Sequence, residues 1–110
     1  MNKKLDNLAE VVAKANDLFY SKHENVDTLM GIMNQTLRAQ GMQADAITID
    51  CVAVDKKIVF LLHDAKPDMV DIALGNKNGD ILSSSEYVIE EVSEAVIVGI
   101  MEMNFVSASE

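Results

Sequence analysis

The chain has one cysteine in 110 residues, so it cannot close an internal disulfide. Cys51 sits among Ile49, Val52 and Val54, where a thiol behaves as a small buried hydrophobe, and a reducing compartment agrees with that. Basic clusters are scarce too: beyond the N-terminus, Lys56–Lys57 is the only pair of cations. Direct DNA or RNA binding, which draws its affinity from grouped Lys and Arg, is therefore not expected. No apolar run approaches the roughly 20 residues that a helix needs to span a bilayer. The longest, residues 95–101, is interrupted by Gly99, and no membrane role is expected. The start, MNKKLDNLAE, places Asp6 and Glu10 where a signal peptide would carry an apolar core, so cytoplasmic residence is the expectation.

Catalytic patterns are missing as well. Ser83, Ser84 and Ser85 do not lie in a nucleophile elbow, and His23 and His63 have no serine or cysteine at a recognisable spacing. There is no glycine-rich phosphate loop, and nothing calls for a cofactor. His23, in a polar stretch, reads as a surface residue.

What is present is a chain of one-domain length, 49% apolar, able to enclose a core without metals or disulfides. Its formal charge of −9 is uneven: residues 1–45 carry five basic and six acidic groups, residues 46–110 four basic and twelve acidic. This acidity serves solubility or attracts a basic protein partner.

Leu5, Leu8, Val12, Ala15 and Phe19 recur at intervals of three and four, with Val11 and Leu18 widening the stripe, which predicts a first helix of about five turns. Val26, Leu29, Met30, Met33 and Leu37 predict a second, capped by Asn25 or Asp27, with Arg38 in its last turn and Gly41 supplying a left-handed residue past its end. Gly31 inside that helix suggests a close crossing with the first, as its antiparallel neighbour.

After Gly41 the composition turns β-branched. Residues 46–55 alternate as a strand, Asp55 and Lys56 make a tight turn, and residues 57–63 are apolar on both parities, as in a central strand covered on both faces. Pro67 breaks that strand, and residues 69–75 begin a third with Val70, Ile72 and Leu74 on one face. Ile81 and Leu82 continue as a short fourth strand before a polar break at Ser83–Ser85. From Ser93 onward Val96, Ile97, Ile100, Met101, Met103 and Phe105 fall at helical intervals, with Ser93 as N-cap and Glu94 favoured by the helix dipole. The alternative is an edge strand over 95–101. The expected architecture is a single α+β domain: two N-terminal helices, an antiparallel meander of three or four strands and a C-terminal helix, all helices on one sheet face.

Two constellations touch on metals. The stretch LGNKNGDILSSSE has the cadence of a calcium loop, but aligning Gly79 as its sixth residue puts Leu74 first and Ser85 twelfth, and neither supplies the carboxylate that holds calcium. Asn78–Gly79 between apolar runs reads instead as a tight hairpin. His63, Asp64, Asp68 and Asp71 around Pro67 are weak candidates for a divalent-metal site, and a small metal-dependent hydrolase is the alternative function they would serve. The leading expectation is a non-enzymatic interaction module that forms a homodimer, because the chain has more apolar residues than a small two-layer domain obviously buries. Val11 and Leu18 on the first helix, and Ile97, Met101 and Phe105 on the last, are the candidates for the shared surface.

Overall fold

Leu5, Leu8, Val12, Ala15 and Phe19 are the buried stripe of α1, Lys3–Lys22, as their spacing predicts. The computed structural model describes residues 3–33, 35–76, 78 and 80–106, with Thr36 described by its backbone alone. After α1 come β1 (Thr28–Met33), the short α2 (Gln35–Ala39), β2 (Ala44–Cys51), β3 (Lys56–His63), β4 (Met69–Gly75), β5 (Ile81–Val88), a 3₁₀ turn (Ile89–Glu91), α3 (Glu94–Met101) and a π-type turn (Glu102–Val106). The strands form one antiparallel sheet in chain order, β1 to β5. The class is α+β, with five strands where three or four are expected.

The principal correction lies at residues 26–37. The predicted second helix is instead β1, followed by one turn and a half of helix, so α1 has no antiparallel helical neighbour there; it packs beside α3. Gly31 serves strand pairing and not a helix crossing: it lies opposite Thr48, and a Cβ there would stand 3.1 Å from Thr48 Oγ1. Arg38 does sit in the last turn of α2, and Gly41 past its end has φ of 87°. Gly41 N–H donates to Arg38 O and Met42 N–H to Leu37 O, the paired bonds that close a helix on a left-handed glycine.

β2 ends at Cys51, and residues 52–55 turn the chain, earlier than the expected break at Asp55–Lys56. Val52 N–H finds its partner in Asp27 O, before β1. β5 runs straight through Ser83–Ser85, because pairing with Ala73 and its neighbours on β4 imposes extended backbone on residues of weak strand preference. Ser93 caps α3, accepting a hydrogen bond from Val96 N–H through Oγ, so residues 95–101 are helix and not an edge strand.

Register decides which side chains share a face. Ile47 and Ile49 of β2 oppose Phe60 and Ile58 of β3, which oppose Ile72 and Leu74 of β4. These residues make the core with the α1 stripe and with Ile97, Met101 and Phe105, the ring of Phe105 meeting that of Phe19 edge-on at 6.2 Å. Cys51 is a free thiol buried in the same cluster.

Candidate functional site

The hairpin from β4 to β5 spans the stretch suggestive of calcium. Leu74 and Ser85 belong to the two strands, and the connection is residues 76–80. Asn76 organises it: its Oδ1 accepts from Asn78 N–H and Asp80 N–H, and its Nδ2 donates to Asp80 Oδ2. The expected two-residue turn on Asn78–Gly79 falls on Gly79, which lies outside the described residues. The glycine on which the described geometry depends is Gly75, where a Cβ would meet the Asp80 carbonyl oxygen at 2.6 Å.

The four metal candidates disperse. His63 Nε2 lies 3.2 Å from Asp71 Oδ2 across β3 and β4, Asp64 is held by Arg38, and Asp68 is paired with Lys4 at 3.0 Å. Among the described residues no three His, Cys, Asp or Glu groups converge into a set that could hold a metal ion.

Arg38 was visible in the sequence only as a helix-end cation, yet it links three segments. Its guanidinium donates 2.9 Å bonds to both oxygens of Asp45 on β2 and both of Asp64 after β3. Asp45 is 2% exposed. These bonds hold the Asp64 carboxyl below the usual carboxylate range and push the already high Arg38 value higher. His23 is half-buried and not a plain surface residue: its ring packs 4.9 Å from that of Phe19, and Nε2 lies 2.8 Å from Glu102 Oε2. That hydrogen bond lowers the Glu102 carboxyl.

The proposed dimer residues divide. Ile97, Met101 and Phe105 are fully buried within the chain's own core and have no surface to share, because the sheet and α1 cover the apolar side of α3. Val11 is half-buried against that core, whereas Leu18 is exposed.

A broader apolar surface was hidden by the mistaken second helix. The parity opposite the core places Leu29 and Met33 of β1, Ala46 and Thr48 of β2, Val59 and Leu61 of β3 and Ala73 of β4 on one face. None of them belongs to the main hydrophobic cluster, although the small Ala46 and Thr48 are themselves buried, at 2% and 8% exposed. Leu29 is 63% exposed, and Val59 and Leu61, at the centre, are half-buried. The charged residues on this face are paired: Lys57 with Asp50 at 3.5 Å, His63 with Asp71 at 3.2 Å, and Glu86, opposite Asp71, with Lys66 at 2.8 Å. β3 is thus central, as its apolar run predicts, but only one of its faces is covered by the helices of the core.

Among the described residues no helix is long and apolar enough to cross a membrane. Compared with known proteins, the chain matches no family model, no curated protein and no solved structure.

Proposed function

We propose that this chain is a non-enzymatic interaction module that self-associates by stacking the uncovered faces of two sheets around Val59 and Leu61. The observation that supports the reading is an apolar sheet centre left outside the core, bordered by charges that are already paired. A second copy fits this surface better than it fits the rest of the molecule. The chain carries −9 overall, but on this face Lys57 offsets Asp50, Lys66 offsets Glu86 and His63 faces Asp71, so two copies meet there with little like-charge contact. Five strands at their ordinary spacing make a face roughly 20 Å wide and about 25 Å long. Stacking two such faces removes on the order of 1,000 Å² from water, the lower end for a specific interface, and so gives a reversible dimer.

Sedimentation equilibrium at tens of micromolar tests this. The expected result is a dimer of the 12.0 kDa chain that Leu61→Lys converts to a folded monomer, while Leu18→Glu on α1 leaves it paired. A monomeric wild type refutes self-association, and a dimer broken by Leu18→Glu alone moves the interface back to the first helix.

A further inference from the structure

We propose that the outer edge of β5 accepts an extended, basic segment of a partner protein as a sixth strand, with apolar side chains of that segment entering a groove between β5 and α3. β5 ends the sheet, so among the described residues one side of its backbone has no neighbouring strand. Sheets protect such edges with lysine, proline, bulges or shortness. The sequence ILSSSEYV has no lysine, arginine, proline or glycine, it is eight residues long, and its one irregularity, at Leu74/Gly75, lies at the hairpin end. Its residues are exposed except Tyr87, which is half-buried. The opposite edge, β1, is shorter, and Thr28 at its start is tied to Asn16 of α1.

An open edge alone names no occupant, but a groove lies beside it. Ser83 and Ser85 are too short to fill the space on the helix side of β5, leaving a cavity of about 140 Å³. Ile72 and Leu74 of β4 form its floor, and Ile100 and Met103 its far wall. Met103 is 75% exposed, and its flexible thioether suits it as an adjustable lip. A strand added to β5 sends every second side chain toward that side of the sheet, across the serines and into this space. Backbone hydrogen bonds would supply affinity and the groove a preference for apolar residues at alternate positions.

Charge selects the occupant. Glu86 is already paired with Lys66 at 2.8 Å, but from residue 78 to the end of the sequence there is no lysine or arginine, and Asp80, Glu90, Glu91 and Glu94 flank the edge along the chain. A segment with Lys or Arg at the positions between its apolar residues is attracted to this border. A second copy's β5 would instead bring the Glu90–Glu91 turn against a surface of the same sign.

The test uses a pool of heptapeptides with Lys or Arg at odd positions and Val, Leu or Phe at even ones, read by amide chemical shifts and hydrogen exchange of the full chain. Expected are submillimolar binding, slowed exchange at alternate amides of β5, and at least a tenfold loss when the best peptide is N-methylated at alternate backbone nitrogens, which keeps its charge and side chains. Ser85→Trp, which fills the groove, should weaken binding tenfold or more, and Leu61→Lys on the other face should leave it unchanged. Three results would overturn the proposal: no peptide of the pool protects β5; the N-methylated peptide binds as well as its parent, so that charge alone is responsible; or β5 amides are already protected without peptide in proportion to protein concentration, so that a second copy holds the edge.

Discussion

Arg38 and Asp45 are joined by two hydrogen bonds of 2.9 Å, with the Asp45 carboxylate buried and the Arg38 side chain 41% exposed. Removing one partner of a buried ion pair leaves the other without a counter-charge, which harms stability more than the pair itself helps it. Arg38→Met should lower the melting temperature by about 5 °C or more. The double variant Arg38→Met/Asp45→Leu should recover much of that loss, and Asp64→Ala, at the exposed end of the same guanidinium, should have a much smaller effect. Equal losses for Arg38→Met and Asp64→Ala in thermal melts would contradict this ranking.

Gly75 is the second point of sensitivity. A side chain there collides with the Asp80 carbonyl, part of the backbone that closes the hairpin, and not with the tip of a flexible side chain. Gly75→Val should destabilise the fold by about 1–3 kcal/mol, the ordinary range for overpacking. Denaturant unfolding measures it, and an unchanged midpoint would show that the strand end shifts freely.

Calcium should leave stability unaltered. Asn76 spends its side-chain oxygen on two backbone N–H groups of its own loop, and Leu74 and Ser85 are strand residues. A rise in melting temperature in millimolar calcium, reversed by chelator, would count against the hairpin reading.

Acid should weaken the fold through two named groups. Asp64 and Glu102 are held below the ordinary carboxylate range, by hydrogen bonds from Arg38 and from His23 respectively. A carboxyl depressed in the folded state stabilises it above the unfolded-state value, near pH 4 to 4.5, and that contribution drains away as pH falls through the lower folded-state value. Melting temperatures recorded from pH 7 down to pH 3 should therefore fall more steeply below about pH 4.5 in the wild type than in Glu102→Gln. Superimposable acid limbs would exclude a role for the His23–Glu102 pair.

The parts of the fold written in local periodicity were legible. The α1 stripe is apolar wherever the helix meets the core, and Ser93 announces α3 by its own capping bond. β1 was not, because Leu29, Met30 and Met33 fit a helical face and favour helices intrinsically; what makes the segment a strand is the edge of β2, with which it pairs from Thr28–Cys51 to Met33–Ala46. Gly31 was the available warning, a residue costly in a helix and read as a crossing point. The serines of β5 were hidden for the same reason: their partner lies on β4. Misplacing β1 also concealed the uncovered sheet face, since that face exists only once the strand is counted. The Arg38 clasp joins residues 7 and 26 positions away, distances that no local pattern marks.

The meander also sets an order of events during synthesis. Each strand pairs with the one made just before it, so the sheet can grow as the chain emerges. Phe19 waits longer: beyond the nearby His23 ring its edge-on partner is Phe105, and the α3 residues that complete the pocket around α1 are made after every strand. Through most of translation the first helix therefore carries an unfinished apolar stripe, the kind of surface that holding chaperones bind and that aggregates when they are absent. Nascent chains arrested at residue 90 should accordingly be captured by such chaperones and cleaved within α1 by added protease, whereas chains with residue 106 clear of the ribosome should resist both.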